Sequence, residues 1–324
     1  RAGLEAADPV DAVDRHVDVQ GDTLLVGARS YALREIRRIY LVGMGKASAL
    51  MAEPLTRALG DRIYGGVINV KYGHTPPLAG VELVEAGHPL LDQEGLRGTA
   101  AMMELLDGAG ENDLVFCLIS GGGSALSPAP APGVSLGDKQ KVTEMLLACG
   151  ATIQEMNAVR KHLSRIKGGQ LARLARPAKV VALILSDVMG DDLSTIASGP
   201  TVPDPSTFQD CLRVLSQYDL LDPAPTAVVD HLNTGAGGEI AETPKAGDPA
   251  FFTTQNLIVG NNAQALEGAR RKAAELGYNP LLLSSSMGGE TREAAAFHVS
   301  VGREVLSTGH PVPPPACLLS GGET

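Results

Sequence analysis

The apolar runs at 39–42, 113–119 and 180–185 constrain this chain most, because each is strand-sized and has no polar face. In Leu114-Val115-Phe116-Cys117-Leu118-Ile119 every residue is hydrophobic, so a strand made of it must be covered on both sides. Parallel sheets packed between helices meet that condition, whereas an antiparallel sheet commonly leaves one face in water. Between these runs lie stretches with helical spacing, at 46–59, 96–106, 142–147 and 153–174, and two further short runs at 66–70 and 81–85. Apolar strands alternating with helices of this length predict βαβ units, and hence an α/β fold built on a parallel sheet.

Near Asn233 the composition changes. Residues 233–249 are rich in Gly, Pro, Ala and acid and read as an exposed connector. Beyond it the pattern predicts a strand at 256–259, a helix at 263–276, a strand at 280–285, a helix at 291–306 and a strand at 316–320. The expected division is therefore a first domain over 1–235 and a second, smaller α/β domain over 245–324. The four prolines of 309–315 form either a further linker or a rigid helix-to-strand connection. The sequence opens on Arg1 and breaks off at Gly321-Gly322-Glu323-Thr324, directly after a strand, so it is expected to belong to a longer chain with the second domain truncated.

Composition removes several function classes. The formal net charge is -10, against the basic surface that general nucleic-acid binding needs. Aromatic residues make up 3% and Trp is absent, so stacking platforms for single strands are not expected. No apolar run approaches the roughly 20 residues of a membrane span, and residues 1–13 have no signal-peptide h-region. Cys117, Cys149, Cys211 and Cys317 are far apart, with no CxxC, and read as buried thiols of a reducing compartment. The expectation is a cytoplasmic enzyme acting on a small molecule, with neither a nucleic-acid nor a membrane partner. HExxH and GxSxG patterns are missing, which removes support for zinc or serine hydrolase chemistry.

Four constellations carry candidate chemistry. Ser120-Gly121-Gly122-Gly123-Ser124 follows the apolar run at 113–119. Successive glycines let backbone N–H groups converge on an anion at a strand's carboxyl edge. A merely flexible loop is the alternative. Gly43-Met44-Gly45-Lys46-Ala47-Ser48 is again strand, glycines, helix, but it fits neither GxxxxGK[ST] nor GxGxxG. A lysine at the positive end of a helix dipole is mildly unfavourable unless an anion is there, so Lys46 is a candidate phosphate ligand, or else simply solvated. In Ser186-Asp187-Val188-Met189-Gly190-Asp191-Asp192 the carboxylates can hold Mg²⁺ or accept a proton, with Asp187 the first candidate. Either Asp191 or Asp192 can instead cap a helix starting near Leu193. Finally, 153–174 carries Asn157, Arg160, Lys161, His162, Arg165 and Lys167 off a core stripe of Met156, Val159, Leu163 and Ile166. These charges form a solvated face unless one, such as Arg160, grips a carboxylate bidentately. His74 and His88, beside glycines, read as turn-stabilising residues.

Taken together, GMGKA at 43–47, KYGH at 71–74, EAGHP at 85–89, SGGGSA at 120–125, NAVRKHLSRIKGG at 157–169 and SDVMGDDLSTIASGPTVPDP at 186–205 resemble the glycerate 2-kinase family that carries the MOFRL C-terminal domain. The resemblance spans nearly the whole chain. It implies a Rossmann-like N-terminal domain and a smaller α/β C-terminal domain, with the active site in the cleft between them. The activity implied is phosphorylation of the 2-hydroxyl of D-glycerate by ATP with Mg²⁺, in a monomer or homodimer. On that reading Lys46, Asp187 and Arg160 are catalytic. Ser120, Gly121, Gly122, Gly123, Ser124 and Asn157 cradle the nucleotide, and Asp187 with Asp191 holds the metal. An NAD(P)H-dependent reductase of hydroxypyruvate or tartronate semialdehyde is the rival; it lacks an intact GxGxxG on the first strand.

Overall fold

The apolar runs form the centre of a six-stranded parallel sheet. The computed structural model describes residues 1–323. Its strands, in chain order, are β1 (Val17–Gln20), β2 (Thr23–Val26), β3 (Arg29–Ala32), β4 (Arg38–Met44), β5 (Ile63–Lys71) and β6 (Val81–Ala86). They continue with β7 (Asp113–Ile119), β8 (Lys179–Leu185), β9 (Thr254–Gly260), β10 (Asn279–Met287) and β11 (Ala316–Gly322).

The large sheet has the order β6-β5-β4-β7-β8-β9, all parallel. The chain grows outward from β4 to β6, returns to lay β7 beside β4, then grows outward the other way. The point where direction reverses, between β4 and β7, leaves a crevice at the carboxyl ends of those strands.

The two faces of the sheet are separate cores, because neighbouring side chains on a strand point to opposite sides. From β4, Ile39 and Leu41 pack with Phe116, Leu118, Met51 and Leu55, under the helices Ser48–Leu59 and Pro9–Asp14. From the same strand, Tyr40, Val42 and Met44 pack with Val115, Cys117, Met102 and Leu106, under the helix Gln93–Asp107. Every residue of β7 is buried, as its lack of a polar face requires. Burial pushes the Cys117 thiol up to about 12, so it is an inert core group. Cys149, in contrast to expectation, is exposed, and all four thiols are free.

A third core lies in a helical layer made of Leu136–Ala148, Ile153–His162, Phe208–Gln217 and Thr226–Ala236. Three of these helices start at capping boxes, Ser135 with Asp138, Thr152 with Glu155 and Thr207 with Asp210. The last two helices and the antiparallel meander β1-β2-β3 are elements that apolar periodicity does not anticipate.

The helix expected over 153–174 is two helices, Ile153–His162 and Gln170–Leu174. Gly168 and Gly169 interrupt it at φ +57° and +80°. A Cβ on Gly169 would sit 2.7 Å from the Phe251 ring and 2.8 Å from the Val202 carbonyl, so only glycine fits there. The strand expected beyond the connector at 233–249 is also differently placed. It is β9, and it pairs with β8 at the edge of the large sheet, so the connector does not separate the two sheets. Strands β10 and β11 pair in parallel as a separate two-stranded sheet. No helix among the described residues is long and apolar enough to cross a membrane.

Candidate active site

The loops after β4 and β7 are hydrogen-bonded to each other. The Ser120 N–H donates to the Met44 carbonyl (3.1 Å), the Lys46 N–H to the Gly121 carbonyl (2.9 Å), and the Ala47 N–H to Ser120 Oγ (3.0 Å). Ser48 Oγ donates to the Leu118 carbonyl (3.1 Å) and lies 3.2 Å from Ser120 Oγ. The contact is close enough that a Cβ at Gly45, already at φ +137°, would collide with Ser120.

These bonds divide the labour between two glycine turns that look alike in sequence. In the first, the N–H groups of Gly45, Lys46 and Ala47 are all spent, on the Asn69 carbonyl, the Gly121 carbonyl and Ser120 Oγ. It therefore offers an anion only its side chain, and the Lys46 ammonium makes no hydrogen bond or ion pair among the described residues. In the second, the Gly121 and Gly122 N–H groups have no hydrogen-bond partner among the described residues. Those are the donors an anion can take.

Asp187, at the carboxyl end of β8, comes to the same place. Its carboxylate lies where a Cβ on Gly121 would collide with it, and it makes no hydrogen bond or ion pair among the described residues. A Cβ on Gly122, at φ +85°, would sit 2.8 Å from the His88 ring and 3.4 Å from Lys46 Cε. Lys46, His88, the Ser120 loop and Asp187 thus converge. His88 is not merely a turn residue, since its ring faces the site. Burial first, then the ammonium groups of Lys46 and Lys71, hold its imidazole below the ordinary value, against the opposing pull of Asp187.

Three adjoining cavities follow the loop. One of about 540 Å³ is lined by Lys46, Ser120, Gly121, Asp187, Asp191 and Asn261. The next, about 510 Å³, shares Gly121 and Asp187 with it and adds Ser124, Asn157, Arg160 and Ser198. The third, about 270 Å³, shares Gly122, Ser124 and Arg160 and adds His88, Lys139 and Lys167. The first is closed on one side by the helix Asn262–Glu275 and by Ser285 and Ser286 of β10.

Of the two neighbouring aspartates, Asp192 has the capping role. It accepts from the Ser194 N–H (3.0 Å), Ser194 Oγ (2.8 Å) and Thr195 Oγ1 (2.7 Å). No α-helix follows at Leu193; the chain makes a 3₁₀ turn at Ile196–Ser198 instead. Asp191 faces the first cavity and accepts from Asn261 Nδ2 at 2.6 Å. No group of three His, Cys, Asp or Glu side chains able to hold a metal ion occurs among the described residues. Asp187 and Asp191 nevertheless offer hard oxygen to one cavity, and Asp187 does so with no competing bond. That donor set suits Mg²⁺, which keeps most of its shell as water and phosphate oxygen.

Ser124 Oγ is 3.1 Å from Ser198 Oγ, which donates to Asn157 Oδ1 at 3.2 Å. Ala197 and Ser198 both have positive φ, 49° and 61°, a conformation of order 1–3 kcal/mol above normal that the packing here maintains. Lys167 Nζ donates to the Ser124 carbonyl and to Ser124 Oγ, both at 2.7 Å.

The basic residues expected on a solvated helix face are mostly inside. Lys161, His162 and Lys167 are buried and Arg160 half-buried; only Arg165 is exposed. Burial, then Lys139 and Arg160, hold the Lys167 ammonium well below its ordinary value. Burial, then Arg160, push Lys139 down to about 7. Burial also lowers Arg160. Lys139 has no sequence signal, because it lies in a plain amphipathic helix; the hydrophilic character of that position conceals a buried side chain.

Comparison with known proteins gives a consistent result. A family model described as a domain of unknown function, DUF4147, matches residues 1–233. A protein of Pyrococcus horikoshii named glycerate 2-kinase is 39% identical over 321 residues, covering 99% of this chain and 71% of the relative. An Agrobacterium vitis protein, provisionally named a hydroxypyruvate reductase, is 43% identical over 288 residues, and the match covers 63% of its length. The crystal structure of a glycerate kinase from Thermotoga maritima superposes with a TM-score of 0.84 at 39% identity, covering 99% of this chain and 72% of that one.

Proposed function

This chain belongs to the DUF4147 family of glycerate kinases, and from that premise we propose that it transfers the γ-phosphoryl group of ATP to the 2-hydroxyl of D-glycerate, forming 2-phosphoglycerate and ADP. One observation carries the proposal. Two unspent backbone donors, an unpaired ammonium and an unpaired carboxylate meet at the switch point of a doubly wound sheet. Phosphoryl transfer needs positioning and charge neutralisation more than covalent chemistry, and these are the parts it uses.

The Gly121 and Gly122 N–H groups hold phosphate oxygens, with Ser120, Gly123, Ser124 and Asn157 shaping the cradle. Lys46 neutralises charge on the transferring group. Arg160 holds the carboxylate of the acid, which sets the 2-hydroxyl toward the phosphate. As that oxygen bonds to phosphorus, the bond to ADP breaks, and the hydroxyl proton passes to an unbonded carboxylate, for which Asp187 is the candidate. Asp187 and Asp191 would also hold Mg²⁺, which when bound draws charge from the phosphate oxygens. The segment from Asn262 to Gly322 supplies Asn262, Ser285 and Ser286 to the cavity, and we take it as part of a second domain that covers the site.

The test is product identity. Incubation with ATP, Mg²⁺ and D-glycerate should release ADP and give the phosphorus resonance of 2-phosphoglycerate. A 3-phosphoglycerate resonance, or no transfer at all, would refute the proposal. Oxidation of NADH with hydroxypyruvate would instead support the reductase, for which the turn at Gly45-Lys46-Ala47-Ser48 lacks the third glycine.

A further inference from the structure

The third cavity is a concentration of buried positive charge with no acid in it. Lys139, Arg160 and Lys167 line it together with His88, and no Asp or Glu does. Lys139 is 3% exposed and Lys167 2%. Buried ammonium groups are ordinarily paired with carboxylates. Here Lys139 Nζ donates to the Leu163 carbonyl at 3.0 Å, and Lys167 Nζ only to the two Ser124 oxygens. An ammonium carries three N–H donors. Both lysines therefore keep donors in reserve, as does Arg160, whose guanidinium has no hydrogen-bond partner among the described residues.

We propose that Lys139, Arg160 and Lys167 form a subsite for the carboxylate of a small organic acid. The identity of the acid as glycerate rests on the proposed kinase reading; the pocket itself does not. A carboxylate suits the subsite better than a phosphate because two of the phosphate donors, the Lys46 ammonium and the Gly121 N–H, line the neighbouring cavity and not this one. Ser124 joins the two places, since Lys167 holds its hydroxyl and its carbonyl.

The charges facing the pocket come from four elements: Lys139 from the helix Leu136–Ala148, Arg160 from Ile153–His162, Lys167 from the turn after it, and His88 from the turn after β6. No carboxylate acts on either lysine. An incoming anion would therefore favour their protonated forms, with the proton drawn from solvent. Burial and Arg160 push Lys139 down to about 7 in the empty pocket, so binding at pH 8 is expected to take up protons from buffer. His88, held below its ordinary value, is neutral at that pH.

The experiment is calorimetry on the full chain with D-glycerate, D-lactate, glycerol, inorganic phosphate and ADP, in two buffers of different ionisation enthalpy at pH 8. The expected result is proton uptake with D-glycerate, no binding of glycerol, and a Kd for the acid raised at least about tenfold in Lys139→Met and Lys167→Met. ADP binding should be unchanged in Lys139→Met, which does not touch the Ser124 loop. An acid Kd unmoved by both substitutions would overturn the subsite and leave the kinase reading standing. Loss of ADP or phosphate binding in Lys139→Met would overturn it in favour of a phosphate site. Failure of D-glycerate to bind while D-lactate binds in a Lys139-dependent way would refute the substrate and uphold the pocket. Should the variants fail to fold, glycerol binding to the unmodified protein as tightly as D-glycerate would overturn the subsite.

Discussion

Lys161 and Lys167 flank the same sharp turn, both buried, and their surroundings are opposite. Lys161 Nζ is 3.3 Å from Asp204 Oδ1. Asp204 is itself fully buried and also accepts from Ser206 Oγ (2.7 Å) and Thr243 Oγ1 (3.0 Å). Beside it, His162 Nε2 is 3.0 Å from Glu242. Lys167 has no carboxylate, only Ser124, and its electrostatic neighbours are two further cations. A charge that only holds the fold is balanced by the protein itself. A charge left unbalanced is costly to the empty protein, and its surroundings make sense once a ligand supplies the counter-ion.

The comparison can be broken most readily at its balanced end. Asp204→Ala should cost about 3–5 kcal/mol of stability, since it strands Lys161 without its carboxylate; denaturant unfolding measures this. A cost below that of an ordinary surface change would show that Lys161 is not balanced by Asp204. At the open end, Lys46→Ala should leave stability unchanged and lower kcat/KM by about 10²–10³-fold, the effect of removing one preorganised charge from a transition state. Gly121→Ala places a methyl group against the Asp187 carboxylate and should lower kcat by roughly tenfold to a hundredfold. Circular dichroism of that variant should match the original protein.

A fourth prediction concerns pH. Lys139 binds a proton in the unfolded chain up to its ordinary value near 10.5 but in the folded chain only below about 7. Between those values the unfolded state holds more protons, so stability rises with pH, by up to about 1.4 kcal/mol per unit. Urea midpoints from pH 7 to 9 should increase, and Lys139→Met should flatten the slope. The smallest effect sharpens the contrast with Asp204. Lys167→Met should change stability by no more than about 1 kcal/mol, or raise it, because the methionine removes a cation that nothing in the protein pairs.

The parallel sheet was legible because β7 beyond Asp113 and β8 beyond Lys179 have no polar residue to turn outward, and only a sheet covered on both faces accommodates that. The two glycine turns were legible as candidate anion-binding turns for a similarly local reason, strand followed by glycines. Their different uses were not, because the bonds that spend the Gly45, Lys46 and Ala47 donors come from Asn69 and the Ser120 loop, remote in sequence. The helices Phe208–Gln217 and Thr226–Ala236 escaped periodicity, although the Thr207 and Asp210 pair of a capping box marks the start of the first. The basic run at 160–167 looked like a solvated face because composition cannot show which side of a helix meets another layer.

Local sequence, then, determined the elements, the α/β class, and the glycine-rich turns at strand ends, since these follow from side-chain periodicity and backbone freedom within a few residues. Tertiary structure alone decided that Lys46, the Ser120 loop and Asp187 share one crevice, that Asp192 caps while Asp191 faces the cavity, and that Lys139 joins Lys167 in a pocket without an acid. Charge balance and desolvation depend on which distant segments come into contact, and only the assembled sheet order brings those segments together.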